Sequence, residues 1–359
     1  MSKIIAIGTA VPAYCHRQEE IPEFMQRVYA LDEAGKRKLR FLYKQSGISN
    51  RYSTIPDYSL PANSWQFYSP TENLEPFPGM EKRMEWYKRH AAPLSIKAIQ
   101  GCLENFYGDI THLITVSCTG MSAPGLELEL MELLRLPATI FHTSINFMGC
   151  YAAIHALKIA DAFCKTDKSA NVLIVCTELC TLHFQKENTV DGMTSSMLFS
   201  DGAAAVLVTG NKEEKGLEID HFYSTVAWKG KNDMAWQLSS KGFLMTLSGY
   251  VPELIQEDFN GLVTDALTAA HLKIQDVTHW CIHPGGRKIL EAVHTSLGFV
   301  NGQLLNSYEV LNEFGNMSSP TVLFVLDKIM RALRPNEPAK IFGAAFGPGI
   351  SMETFILSS

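Results

Sequence analysis

Runs rich in β-branched residues alternate with amphipathic helical runs along almost the whole of the 359-residue chain. That alternation restricts it to the α/β class. "KIIAIG" opens as a strand, and the segment from Glu19 to Gln45 carries helical periodicity. A Pro-punctuated loop then leads into a long helix ending at "GCLENF". Strand "THLITVSCTG", helix "GLELELMELLRL", strand "ATIFHTSIN", helix "AAIHALKIADAFCK" and strands "NVLIVCTEL" and "AAAVLVTG" follow. The polar stretch "NKEEKG", from Asn211 to Gly216, is the expected boundary between two halves, 1–210 and 211–359. Beyond it a similar order of elements returns, ending in a terminal hairpin "AKIFGAAFGPGISMETFIL". No sequence repeat is visible, yet the parallel orders suggest two related halves packed together.

With 46% hydrophobic residues the chain can bury a large core. Its net charge of −6, with Lys and Arg spread along the sequence, argues against a nucleic-acid partner. The eight cysteines contain no CxxC pair and read as reduced thiols in a cytosol, and no dense His/Asp/Cys cluster suggests a metal. No run approaches the ~18 apolar residues of a membrane span, so a soluble, cytoplasmic protein is expected.

One cysteine stands out. In "INFMGCYAAIHALKIADAF", Cys150 follows a glycine that allows a sharp turn and precedes a helix. Unpaired N–H groups and the positive end of the helix dipole there favour thiolate over thiol. Most cysteines in apolar surroundings are small buried hydrophobes, which is the reading for Cys102, Cys164 and Cys176. A nucleophile needs partners, and the second half offers two. "WCIHPGGRKIL" puts His283 at the end of a strand, and "FGNMSSPTVLFVL" puts Asn316 just before a helix. Taken singly, the first reads as a turn residue and the second as a helix cap.

Together with "AIGTAVP", "SCTGMSAPG", "GCYAAIHALKIA", "LFSDGAAAVLV", "GNMSSPTVLFVLD" and "AAFGPGISMET", these stretches resemble, in order, a type III polyketide synthase. This is the chalcone-synthase-like group of the thiolase superfamily. The resemblance implies a five-layered αβαβα thiolase-like fold, a homodimer, and a catalytic triad of Cys150, His283 and Asn316. It also implies the chemistry. Cys150 takes an acyl group from an acyl-CoA starter. His283 and Asn316 stabilise the enolate formed as malonyl-CoA loses carbon dioxide, and a Claisen condensation follows. No cofactor is required.

By the same resemblance Phe199 is a gatekeeper between the CoA tunnel and the cavity. Met245 stands where plant enzymes carry the second gatekeeper phenylalanine, and Trp236 where they carry glycine. A narrower cavity and a bacterial, pyrone- or resorcinol-forming relative are therefore expected. Cys118 and Thr119 of "SCTGM", Ser318 of "GNMSS", and Gly347 and Pro348 of "AFGPGI" fall on the cavity lining. CoA phosphates are expected on "GKRKLRFLYK". There Lys38 matches, Phe41 and Gln45 replace two basic residues, and Arg40 and Lys44 are available to substitute. The nearest alternative is a ketoacyl synthase III-like enzyme making a single condensation on an acyl carrier protein. A non-catalytic acyl-binding member of the fold is the other.

Overall fold

Two strands at the middle of the chain show why the core lies where it does. All residues of Asp201–Thr209 are buried, and so are all but the first of Asn171–Leu179. Such runs need apolar cover on both faces. The computed structural model describes residues 2–300, 302–334 and 337–359. Its first half contains β1 (Lys3–Ala10), β2 (Tyr14–Arg17), α1 (Ile21–Val28), α2 (Glu33–Gln45), β3 (Asn50–Ser53) and α3 (Met80–Leu103). Next come β4 (His112–Ser117), α4 (Leu126–Leu133), β5 (Phe141–Asn146), α5 (Ala152–Thr166), β6 (Asn171–Leu179), α6 (Val190–Leu198) and β7 (Asp201–Thr209). Then follow β8 (Leu217–Val226), β9 (Met234–Ser239), β10 (Gly242–Leu247), α7 (Val251–Ala269) and β11 (His279–Ile282). The chain ends with α8 (Arg287–Ser296), α9 (Leu305–Phe314), α10 (Thr321–Ala332), β12 (Lys340–Gly347) and β13 (Ser351–Ser358).

Nine strands form one sheet in the order β11-β12-β13-β8-β1-β7-β6-β4-β5. Its two wings repeat one pattern. From β4 the order β4, β6, β7, β1 runs parallel, antiparallel, antiparallel; from β11 the order β11, β12, β13, β8 does the same. The wings meet where β1 pairs with β8 through Lys3↔Glu218 and Ile4↔Leu217.

Side-chain alternation along each strand then sorts the helices into layers. Val172, Ile174 and Cys176 on one face of β6, and Ile341, Ala345, Phe355 and Leu357 from β12 and β13, share a single apolar cluster with α5 and α10. The opposite faces, Leu173 and Val175 in one wing and Phe342, Ala344 and Ile356 in the other, belong to a second cluster that holds α3 and α7. The result is α3, first wing, α5 with α10, second wing, α7: a five-layered, thiolase-like arrangement. Ala152, Ala153, Ala156 and Ala160 keep α5 slim enough to be buried between sheets.

Parallel strands bring their C-terminal ends to one edge, where α/β folds place their ligands. The residues following the parallel strands β4, β5 and β6 meet there, and His283 after β11, which runs the opposite way in the other wing, lines the same cavity. The helical stretch from Glu19 to Gln45 is divided, with Ala30 at φ 47° between α1 and α2. The small ribbon β2–β3, α6, β9 and α9 were not anticipated as elements.

Candidate active site

Cys150 sits in the turn between β5 and α5, one residue short of the helix N-cap Tyr151. Gly149 makes that turn, with φ +81°. It also permits close packing, because a Cβ there would lie 2.3 Å from Cδ of Pro348. Gly347 does the reciprocal service, since a Cβ on it would lie 2.5 Å from the Tyr151 ring. The Cys150 turn and the "GPG" loop thus interlock across the two wings.

His283 follows β11, and its backbone N–H donates to Ala344 O at 2.8 Å. Both ring nitrogens are buried without a partner among the described residues, and the ring lines a cavity with Cys150 and Asn316. Asn316 precedes α10 as Cys150 precedes α5, so the repeated wings place the two at matching ends of the central helices. Its Nδ2 donates to Gly285 O at 3.1 Å, and its Oδ1 accepts from Ser318 N at 2.8 Å. One amide N–H remains for Cys150 or a ligand. The side chains of Ser318 and Asn316 hydrogen-bond the Cys150 thiol.

His183, also in this region, is a different kind of histidine. Its Nδ1 accepts from Phe243 N at 3.2 Å, so Nε2 carries the proton and donates to Thr119 O at 2.7 Å. The ring stacks on Phe243 with centroids 4.2 Å apart. Its bonding capacity is used up, whereas that of His283 is entirely open.

Burial pushes the Cys150 thiol up to about 12, and the hydrogen bonds from Ser318 and Asn316 pull it down. The helix start expected to favour thiolate does not suffice alone, because the thiol is enclosed and lies before the first helical turn. Burial holds His283 down to about 3. Each charge alone is disfavoured here.

Sequence reasoning missed Glu178, at the inner end of β6. It is fully buried, and its carboxylate accepts from Cys118 N at 2.8 Å, Thr119 Oγ1 at 2.9 Å and Ser319 Oγ at 2.7 Å. Burial raises it to about 7 despite those bonds. The available signal was an acid within the apolar run "NVLIVCTEL".

The cavity beside the triad measures about 50 Å³. Cys118, Thr119, Ser318 and Pro348 line it, while Gly347 backs the wall against Tyr151. Trp236 and Met245 stand opposite each other in the β9–β10 hairpin, and the Trp236 indole donates to Cys118 O at 2.8 Å. Phe199 caps α6 and forms a parallel bridge with Asn316. Phe199, Trp236, Met245 and Cys180 also border a second cavity of about 270 Å³. Lys38, Arg40 and Lys44 are exposed on α2, and none lines either cavity. Among the described residues no group of three His, Cys, Asp or Glu is placed to hold a metal ion.

Comparison with known proteins agrees with this geometry. Residues 1–212 match the N-terminal domain of chalcone and stilbene synthases, and residues 218–359 match their C-terminal domain. The chain is 29% identical over 369 residues to "Probable polyketide synthase 1" of Dictyostelium discoideum, covering all of this chain and 11% of that protein. It is 28% identical to "Putative chalcone synthase" of Bacillus subtilis (strain 168), covering 100% of this chain and 99% of the relative. Among solved structures, 1,3,6,8-tetrahydroxynaphthalene synthase from Streptomyces coelicolor A3(2), a bacterial type III polyketide synthase, superposes with a TM-score of 0.88. The identity there is 26%, covering 99% of this chain and 98% of the other. The chain belongs to the chalcone and stilbene synthase family of type III polyketide synthases.

Proposed function

We propose that the protein condenses malonyl-CoA onto an acyl group carried on Cys150, repeatedly, and releases a cyclised pyrone, resorcinol or chalcone-type product. The observation that carries this reading is His283, with both ring nitrogens unpartnered in the cavity that Cys150 and Asn316 share.

In the first step His283 accepts the thiol proton. Cys150 sulfur attacks the starter thioester, and the CoA thiolate leaves with that proton. Malonyl-CoA then places its thioester oxygen against His283 and the free Asn316 N–H. As its carboxylate leaves as carbon dioxide, the C–C electron pair becomes an enolate held by those two donors. Burial that keeps His283 neutral suits it to donate there. The enolate carbon attacks the acyl carbon on Cys150, the thiolate departs, and the chain is two carbons longer. Phe199, Trp236 and Met245 bound the space in which it grows, while Lys38, Arg40 and Lys44 hold the CoA phosphates at the surface.

The reading includes a homodimer. Met121, Leu128, Leu133 and Phe141 leave apolar surface exposed around α4 and the edge strand β5, which supports an interface there. It also includes a cytosolic setting, in which the cysteines stay reduced; none of the described helices is long and apolar enough to cross a membrane. The test is incubation with carboxyl-labelled malonyl-CoA and a panel of acyl-CoA starters, reading carbon dioxide release and product masses. Products from two or more extensions support the reading. Single extensions would indicate the ketoacyl-synthase alternative, and no carbon dioxide release would refute both.

A further inference from the structure

Although the chain carries a net charge of −6, one of its surfaces is basic. On α2 the side chains of Leu39 and Tyr43 are buried, and Arg37, Lys38, Arg40 and Lys44 are all exposed. Among them stands Phe41, 62% exposed. It lies three or four residues from Arg37, Lys38 and Lys44, which makes it their neighbour on the helix surface. Among the described residues no carboxylate is within ion-pair distance of these four cations, whereas the acids nearby are engaged: Glu33 with Lys36, Glu291 with Arg287, and Glu309 and Glu313 with Lys328. A solvent-facing ring among uncompensated cations is matched by a surface that offers carboxylates around an apolar contact.

This surface adjoins the triad cavity. Gly47, just beyond the end of α2, packs on Arg287 at the start of α8, where a Cβ would lie 3.4 Å from Arg287 Cδ. Gly285 and Ile289, on either side of Arg287 and the exposed Lys288, line the cavity with Cys150. Phe41 lies about one turn from the end of α2. The occupant of the face must supply what the chemistry consumes there, an acyl thioester. The phosphates of free CoA use the cations and gain nothing from the Phe41 ring, while a protein helix carrying acids around an apolar side chain uses both.

We propose that the Phe41 face of α2, continued by Lys288, docks an acidic carrier protein that delivers the starter as a phosphopantetheine thioester. In the transfer the acyl C–S bond to the carrier breaks, the bond to Cys150 sulfur forms, and the Cys150 proton ends on the carrier thiol. The inference rests on the reading of Cys150 as the acyl acceptor and adds a protein donor to it.

The experiment offers one octanoyl group on three donors: a purified acidic carrier protein of bacterial fatty acid synthesis, CoA, and N-acetylcysteamine, which has neither protein nor phosphate. Acylation of Cys150 is followed by intact mass, giving a second-order rate constant for each donor. In the unmodified protein the carrier rate should fall as salt rises, while the N-acetylcysteamine rate does not. The double variant Arg37→Glu, Phe41→Ser changes two exposed side chains. It should lower the carrier rate by roughly tenfold or more, lower the CoA rate by less, and leave the N-acetylcysteamine rate unchanged. No acylation from the carrier, or a carrier rate indifferent to both salt and the double substitution, overturns the inference. So does an equal loss with carrier and CoA, which would make the face a nucleotide site. Each of these leaves the condensing function intact. Failure of all three donors to acylate Cys150 overturns the condensing function, and this inference with it.

Discussion

Replacing His283 with glutamine keeps a hydrogen-bonding group in the cavity and removes the only side chain among the described lining residues that can become a cation beside Cys150. Burial pushes the thiol up to about 12, a value that already includes the pull of Ser318 and Asn316. Any lower value in the working enzyme comes from a counter-charge. At a separation of about 4 Å and an effective dielectric constant near 20, an imidazolium returns about 4 kcal/mol. That is worth roughly three pH units. The midpoint of Cys150 alkylation should therefore rise by roughly two to three units in His283→Gln, whereas Asn316→Ala, which removes a dipole, should move it by less than about one. The assay is iodoacetamide modification against pH, read on the Cys150 peptide by mass spectrometry, because exposed Cys15 would contaminate a bulk thiol count. An unchanged midpoint in a folded His283→Gln protein would refute the pairing.

Other outcomes follow from the same geometry. Glu178 has its carboxyl raised from 4.5 to about 7, so the folded state holds this proton more tightly than the unfolded chain. The stability this contributes is full below about pH 4.5 and is lost as pH rises through 7, by at most roughly 3 kcal/mol. Glu178→Gln should flatten the pH 6–8 part of that slope in urea unfolding, and a persisting slope would assign it to another group. Gly149→Ala forces a Cβ against Pro348 at positive φ. It should cost about 2–3 kcal/mol and abolish acylation, read by thermal unfolding and intact mass. Fatty acyl-CoA starters should outperform 4-coumaroyl-CoA because Trp236 occupies space beside the triad. Trp236→Gly should narrow that difference while losing about 2 kcal/mol of stability, and a native preference for 4-coumaroyl-CoA would contradict this view of the cavity.

The α/β class and the order of most strands and helices were legible because β-branched runs and amphipathic runs differ in period. Cys150, His283 and Asn316 were legible because each stands in a short Gly- or Pro-marked junction at an element end. The helix start before α5 is only one part of what governs Cys150. Whether a helix start can ionise a thiol depends on how dry the site is, and dryness is set by residues as distant as Pro348 and Trp236. Glu178 went unnoticed because a buried acid within an apolar strand differs from its neighbours by one letter, and its partners Thr119 and Ser319 come from other segments. Trp236 and Met245 were noted separately. Their pairing across β9–β10 needed the hairpin register, which "MAWQL" and "GFLMTLSG" do not announce. The second cavity was invisible for the same reason, since its lining comes from β3, α6 and β10.

Cys150→Gln with labelled malonyl-CoA tests the division of labour in the triad most directly. The side chain can no longer carry an acyl group, while His283 and Asn316 remain to hold an enolate. Continued release of carbon dioxide with no polyketide product is the expected result, together with loss of that release when His283→Ala is added. Polyketide formation by Cys150→Gln, or decarboxylation that survives the double substitution, would contradict the account.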